Sequence, residues 1–177
     1  MQRDPEIQAL LDKQALRELA LRYARAIDRR DRELLLSVYH EDAVDRHGTV
    51  FEGSPRQFAD FQPQVMGQFA VTAHYMLNTD YRLAGDRAEG ELYFIAFHRL
   101  QPPQCKEVVV GGRYLDRYER RGGVWKIAHR TLLWDFARDY VPSADEQKFL
   151  ASLGELGGGA EDPSFRLLPL FAMGRSP

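Results

Sequence analysis

The segment VTAHYMLNTDYRLAGDRAEGELYFIAFHRL, Val71 to Leu100, contains two long strand patterns joined by the turn sequence AGD. Both halves are rich in β-branched and aromatic residues, and the turn residues between them are typical of a hairpin. Two further segments of the same kind follow, KEVVVGGRYLDRYERR and VWKIAHRTLLWDF, bounded by the turn sequences QPPQ and RGG. Four such segments in succession predict an antiparallel meander.

Helical patterns occupy the chain before this meander. Apolar residues recur at helical spacing from Pro5 to about Asp28, and a shorter helix should follow the N-cap Asp31 and end at the sequence HEDA. The sequence AVDRHGTVFEG predicts a strand or small hairpin that turns at Gly48, and a third helix should follow the N-cap Ser54. Three helices before a meander predict an α+β fold, in which a curved, mostly antiparallel sheet wraps around the helices and leaves a cavity.

Length and composition indicate one soluble domain. The chain has 177 residues, 44% of them apolar, and a formal net charge of -2 with scattered basic residues, so we expect no nucleic-acid partner. No apolar run is long enough to span a membrane, and the single Cys105 fits a reducing compartment, so we expect a cytoplasmic protein. Residues 1–140 should form the domain, and residues 141–177 an extension whose apolar end packs on the domain or on a neighbouring subunit of a homo-oligomer.

Several polar residues should lie on mostly apolar faces of the strands. Because side chains alternate along a strand, His74 shares a face with Thr72, Met76 and Asn78. An apolar face with a few ionisable groups is typical of a small-molecule pocket, although each residue taken alone is better explained as a satisfied polar group of the core. The same alternation groups His98 with Leu92, Phe94 and Ala96, and Arg130 with Ala128, Leu132 and Trp134.

Asp28 lies near the C-terminal end of the first helix, where the helix macrodipole disfavours negative charge. A contact with His74 would explain this placement and would make a general base, whereas the alternative is a solvated turn, DRRD. No two of the five histidines have the spacing of a metal site, and no glycine-rich phosphate loop follows a strand, so we expect neither a metal nor a cofactor. Gly111 and Gly112 within a strand indicate a bulge or bend.

The order and spacing of three motifs are informative together. The run LALRYARAIDRRDRELLLSVYHEDAV, followed by TAHYMLN and RYERRGGVWKIAHR, resembles the SnoaL-like branch of the nuclear transport factor 2-like (NTF2-like) superfamily over about residues 15–140. Within that branch the chain looks most like the group that holds scytalone dehydratase, lindane dehydrochlorinase and the bile-acid 7α-dehydratases. The resemblance implies a cone-shaped α+β barrel with the N-terminal helices in the concave face of the sheet, and cofactor-free elimination by an Asp-His pair.

The resemblance also implies roles for individual residues. The helix-end aspartate of the group matches Asp28 and its strand histidine matches His74, which would be the base. Tyr23 matches a tyrosine of the bile-acid dehydratases and would assist the leaving oxygen or an enolate, and Arg130 would stabilise developing negative charge. A second histidine of scytalone dehydratase falls at or near His98. The group's motif is not followed throughout, because Gly112, Tyr114 and Arg46 replace ligand-binding residues of scytalone dehydratase, which makes scytalone an unexpected substrate.

Taken together, the sequence favours a cofactor-independent lyase of the dehydratase type, acting on a hydrophobic, cyclic substrate with a hydroxyl or carbonyl group. An isomerase resembling ketosteroid isomerase would use the same parts, and a non-catalytic small-molecule-binding NTF2-like protein is the other alternative. The assembly should be a homo-oligomer, either a trimer or a dimer. The expected substrate contacts are His98, Tyr114, Met76, Phe94 and Trp134, beside further apolar lining from Leu132 and Phe51.

Overall fold

The computed structural model describes residues 4–154 and 159–171. Six strands form one sheet in the order β2-β1-β6-β5-β4-β3, and every neighbouring pair is antiparallel except β1 and β6, which are parallel. The predicted α+β fold with a mostly antiparallel sheet is therefore confirmed. The strands are β1 (Tyr39–His47), β2 (Phe51–Gly53), β3 (Phe69–Ala84), β4 (Arg87–Leu100), β5 (Glu107–Arg121) and β6 (Val124–Tyr140).

Helix α1 supplies the apolar stripe that packs on the sheet. It begins after Asp4, whose side chain accepts the Glu6 N–H at 2.8 Å, and it ends at Arg30, which adopts a left-handed backbone conformation with φ 54°. None of the helices in the described part of the chain has the length and apolar character needed to cross a membrane. The helices are α1 (Pro5–Arg29), α2 (Arg32–Ser37), α3 (Pro55–Met66), α4 (Ala144–Ser152) and α5 (Ser164–Leu167), with 3-10 turns at Gly159–Glu161 and Pro169–Phe171.

The predicted local signals are confirmed at most element ends. Asp31 caps α2 by accepting the Leu34 N–H at 3.0 Å, and Gly48 turns the β1–β2 hairpin with φ +56°. Ser54 and Gln57 form a reciprocal capping box at the start of α3. The prediction that HEDA ends the second helix was wrong, because α2 stops at Ser37 and these residues lie in β1.

A bulge in β3 overturns one part of the predicted alternation. The pairing of β3 with β4 shifts between Met76 and Thr79, so the two intervening residues no longer keep the period of two. Asn78 is consequently exposed, whereas Tyr81 turns into the core with 6% of its surface accessible. The predicted inward face therefore ends before Asn78.

The tail beyond β6 contacts α1 in its described portion. Arg25 donates to Ser164 Oγ at 3.2 Å and to the Phe171 carbonyl at 3.3 Å, and its guanidinium lies 5.3 and 4.7 Å from the rings of Phe165 and Phe171. Residues 155–158 and 172–177 of the predicted extension lie outside the described residues. Leu170 remains 87% exposed, so contact with α1 leaves apolar surface uncovered, and the homo-oligomer stays a prediction.

The two glycines of β5 lie at a second register shift, between Gly111 and Gly112, as the sequence indicated. A Cβ at Gly112 would lie 2.1 Å from the Leu133 carbonyl oxygen, which belongs to the backbone of β6. A Cβ at Gly111 would instead meet the ring of Phe136 at 2.3 Å, and that side chain is 40% exposed and free to turn away.

We therefore expect Gly112→Ala to destabilise the protein by about 1–3 kcal/mol and Gly111→Ala by clearly less, because only the first clash is with backbone. Urea unfolding of both variants beside the parent protein measures the two differences. Equal losses would show that the sheet accommodates both methyl groups in the same way.

Candidate functional site

A cavity of about 90 Å³ lies between the helices and the sheet. Helices α1 and α3 form one part of its wall, and strands β1, β3, β4, β5 and β6 form the rest. Most of the lining is apolar or aromatic, and the polar side chains are concentrated in three histidines, two tyrosines and one glutamine. The lining residues are Tyr23, Ile27, His47, Val50, Phe58, Phe61, Gln62, Val65, Met66, His74, Phe94, Ala96, His98, Val110, Tyr114, Leu132 and Trp134.

The Asp28–His74 contact expected from the sequence is present. Asp28 Oδ1 lies 2.7 Å from His74 Nδ1, and Asp28 Oδ2 accepts the His74 backbone N–H at 2.8 Å. Both carboxylate oxygens are thus bound to one residue, which offsets the unfavourable position of Asp28 in the last turn of α1. Because an ionised carboxylate only accepts, the ring proton sits on Nδ1, and Nε2 of the cavity-lining His74 is left for a ligand.

His98 is a neutral neighbour of this pair. Its ring lies 5.4 Å from that of His74 and 4.8 Å from that of Phe69, and its Nδ1 has no hydrogen-bond partner among the described residues. Burial, with the charge of His74 second, lowers the pKa of His98 to about 4. At neutral pH this ring therefore carries no charge and can offer a substrate one donor and one acceptor.

Arg130 lies behind the cavity wall. It is fully buried, donates from Nε and Nη2 to Asp116 at 2.8 and 2.6 Å, and lies 4.1 and 4.2 Å from the ring centroids of Tyr23 and Tyr114. Tyr118 adds a third donor to Asp116 at 2.6 Å. Arg130 is not among the lining residues, so the direct contact with developing substrate charge that the sequence suggested is replaced by support of the two tyrosine rings.

Tyr23 and Tyr114 both line the cavity, and the guanidinium of Arg130 lies over both rings. Their ring centroids are 5.6 Å apart in an edge-on arrangement, and both side chains are at most 2% exposed. Burial raises the pKa of Tyr23 far above its ordinary range, the proximity of Tyr114 and Asp45 adds to this effect, and burial raises the pKa of Tyr114 in the same direction. Both phenols therefore stay protonated and act as hydrogen-bond donors.

A second Asp-His pair, absent from the sequence-based site, faces the same cavity. Asp45 Oδ1 lies 2.5 Å from His47 Nδ1, with a bent geometry that makes it a close ion-pair contact rather than a straight hydrogen bond. Asp45 also accepts the Tyr39 hydroxyl, and His47 Nε2 lies 3.3 Å from the Tyr23 hydroxyl. The i, i+2 spacing of Asp45 and His47 on one strand was the only available signal.

Four of the five predicted substrate contacts line the cavity. Tyr114, Phe94, His98 and Trp134 line the cavity, whereas Met76 does not, because it packs against the core from a partly buried position beside the β3 bulge. The lining residues that sequence reasoning missed come largely from α3, whose inward side chains could not be assigned to a cavity before the helix was placed. These α3 residues are Phe58, Phe61, Gln62, Val65 and Met66.

The comparisons with known proteins agree with this architecture. A family model described as a SnoaL-like domain matches residues 8–131. The chain belongs to the SnoaL-like domain family. No curated protein sequence matches it.

Solved structures similar to this family member share its fold. A type 2 hexachlorocyclohexane dehydrochlorinase (LinA) is 20% identical with a TM-score of 0.72, over 78% of this chain and 95% of that one. The type 3 LinA enzyme of Novosphingobium barchaimii is 20% identical with a TM-score of 0.70, over 78% and 99%. A protein of Novosphingobium aromaticivorans provisionally assigned as a scytalone dehydratase is 21% identical with a TM-score of 0.66, over 77% and 92%.

The described residues hold no cluster of three or more histidine, cysteine, aspartate or glutamate side chains arranged to bind a metal ion. Two of the three cavity histidines, His47 and His74, instead each face one carboxylate through Nδ1. This arrangement is suited to proton transfer.

The low pKa of His98 makes a testable prediction for stability. An imidazole whose pKa is about 6.5 when unfolded and about 4 when folded binds more protons in the unfolded state between these values. Its neutral burial therefore contributes fully above pH 6.5 and is lost as the pH falls toward 4, by about 3 kcal/mol at most. We expect His98→Gln to flatten the fall in unfolding free energy over this window, as measured by urea unfolding at a series of pH values. An NMR titration that placed the His98 midpoint near 6.5 would contradict this account.

Proposed function

We propose that the chain is a cofactor-independent lyase of the dehydratase type, with His74 as the base and Asp28 as its orienting partner. The observation that carries this proposal is the double contact of Asp28 with His74, to the ring at 2.7 Å and to the backbone at 2.8 Å. A carboxylate held in this way fixes the tautomer of the ring and stabilises the imidazolium that forms when Nε2 takes a proton.

The proposed elimination begins with proton removal by His74. His74 Nε2 removes a proton from a carbon next to a carbonyl, the electron pair of that C–H bond forms a double bond, and the bond to the leaving group breaks. A neutral donor stabilises the carbonyl oxygen on which negative charge develops, and Tyr114 is a buried donor in the cavity lining, while Tyr23 assists the leaving group.

The cavity favours a hydrophobic, cyclic substrate with hydroxyl or carbonyl groups. Aromatic rings dominate the lining, with Phe94 stacked on Tyr114 at 4.7 Å and edge-on to Trp134 at 6.0 Å. Two cavity-lining atoms, Gln62 Oε1 and His98 Nδ1, have no hydrogen-bond partner among the described residues. A hydroxyl on the ring could donate to Gln62 Oε1, and a second oxygen substituent could pair with His98 Nδ1, which would remove the cost of leaving these atoms unpaired.

Membership of the SnoaL-like family and the named structural neighbours support elimination as the reaction class. Two of those neighbours are named as dehydrochlorinases and one is provisionally assigned as a dehydratase. Both names describe loss of a leaving group from carbon. The base in the cavity also distinguishes this proposal from a purely ligand-binding role, because binding of a neutral ring does not need a carboxylate-oriented imidazole.

The test is a screen of hydroxylated polycyclic and monocyclic carbonyl compounds, by thermal shift for binding and by mass spectrometry for turnover. For a compound that is turned over, we expect loss of water, and we expect His74→Ala and Asp28→Asn to reduce kcat by roughly 10²–10⁴-fold, the usual contribution of a general base. His129→Ala is the matched control, because His129 lies half-buried on β6 outside the cavity and should leave turnover unchanged.

The product identifies the reaction class. A product 18 mass units lighter is the expected dehydration, whereas a product of unchanged mass would show that the same base and donors perform an isomerisation. If no compound is turned over and His74→Ala binds ligands as well as the parent protein does, the lyase proposal fails and a binding function replaces it.

A further inference from the structure

We propose that Asp45, His47 and Tyr23 form a proton-delivery chain, in which Tyr23 is the catalytic acid for the leaving group and His47 resupplies its proton. This inference rests on the proposed elimination and adds an acid to the base already assigned. The poorest step of a dehydration is the departure of hydroxide, which a proton donor converts into the departure of water.

The three side chains are in sequence through contacts already described. Asp45 is 0% exposed and lies 2.5 Å from His47 Nδ1, and the other ring nitrogen of His47 lies 3.3 Å from the Tyr23 hydroxyl. The His47 ring is held flat against Phe58, with ring centroids 4.7 Å apart. Tyr23 and His47 both line the cavity, so the end of the chain reaches the space where a substrate would bind.

The relay places a proton on His47 Nε2, between the buried carboxylate of Asp45 and the hydroxyl of Tyr23. The buried groups on β1, β5 and β6 are the carboxylates of Asp45 and Asp116 and the guanidinium of Arg130, each at most 2% exposed. Asp116 and Arg130 pair with each other, whereas the ring of His47 lies 2.5 Å from the second buried carboxylate, Asp45. An uncompensated carboxylate at this depth is costly, and an imidazolium at 2.5 Å removes that cost. The remaining groups facing the ring are neutral: Tyr23, Tyr39, Tyr114 and Phe58.

The two Asp-His pairs then differ in a useful way. Asp28 keeps 8% exposure and has both oxygens bound by N–H groups of His74. Asp45 is 0% exposed and meets His47 through one oxygen, while Tyr39 donates to the other. The relay assigns a proton to Nε2 of His47 and leaves Nε2 of His74 free to accept one. One cavity would hold a base and an acid at the same pH, set apart by the burial of their carboxylates.

The proposed step balances as follows. His74 Nε2 takes the C–H proton, the C–C double bond forms, and the C–O bond breaks with its electron pair on oxygen. Tyr23 gives its proton to that oxygen, and His47 Nε2 gives its proton to the Tyr23 oxygen in the same event, so water leaves and Tyr23 is never an anion. His47 later regains a proton from solvent and His74 loses one, which restores both rings.

The relay also accounts for how such a buried phenol acts as an acid. Burial raises the pKa of Tyr23 so far that a free tyrosinate would be a poor product of proton transfer. A donor on His47 that fills the vacated position removes this obstacle. Tyr23 thus touches the leaving group, and His47 and Asp45 are positioning residues that act through it.

The first test is ¹⁵N NMR of the histidine rings in the free protein at pH 7. We expect His47 with both ring nitrogens protonated and His74 with only Nδ1 protonated, and we expect Asp45→Asn to return His47 to the neutral form. His129→Gln is the matched control and should leave both signals in place. A neutral His47 in the parent protein would overturn the proposal.

The second test uses a hydroxylated compound that the protein turns over and its analogue with chloride or acetate in place of the hydroxyl. Because a good leaving group needs no proton, His47→Gln and Tyr23→Phe should lower kcat by about 10²-fold or more for the hydroxyl compound and by less than about 3-fold for the analogue. His74→Ala should instead lower both. Equal losses on both compounds for His47→Gln would overturn the relay and leave the lyase proposal intact.

The two tests separate the possible failures. Absence of turnover for every compound counts against the proposed function, whereas the NMR result judges the relay without any substrate. Tyr23→Phe keeps the ring that contacts Arg130, so it preserves the packing if His47→Gln fails to fold.

Discussion

The buried ion pair of Arg130 and Asp116 is the constraint on which the site depends. It joins β5 to β6 with two hydrogen bonds of 2.8 and 2.6 Å in a place that water does not reach. Removing either partner would leave a lone charge in the core, at a cost of about 3–5 kcal/mol. The pair therefore fixes the guanidinium plane, and that plane in turn fixes the two tyrosine rings that lie against it. The tyrosines of the cavity are held in place by electrostatics from behind rather than by the ligand in front.

Helix α1 is also held in place by contacts with this ion pair and with the sheet. Tyr23 of this helix packs on Arg130 of β6. Asp28, five residues further on, is hydrogen-bonded to His74 of β3. The helix is thus attached to the inner strand β6 and to the edge strand β3, and Tyr23 and His74 at these two contacts also line the cavity. The contacts that hold the helix on the sheet therefore also position groups of the proposed site.

Much of the architecture could be predicted from the sequence because its signals are local. Strand alternation, the Ser54 cap, the Gly48 turn and the paired glycines at 111 and 112 each reflect the backbone nearby. The Asp28–His74 contact was expected from a residue placed against the helix dipole and from family resemblance. In contrast, the burial of Arg130 behind two rings, the loss of Asn78 from the inner face and the role of α3 depend on long-range packing. His47 was missed for the same reason, since its partner Tyr23 lies on α1, 24 positions earlier in the chain.

Helix α3 forms a part of the cavity wall that is separate from the residues proposed to move protons. Five of the cavity-lining side chains come from this one twelve-residue helix, which is closed at its start by the Ser54–Gln57 box. None of the proton-handling groups lies on it, because they come from α1 and the strands. Shape recognition and reactivity are therefore carried by different pieces of the chain. Substitutions on the inward face of α3 can therefore change which ring the cavity admits without altering the residues proposed for acid–base chemistry.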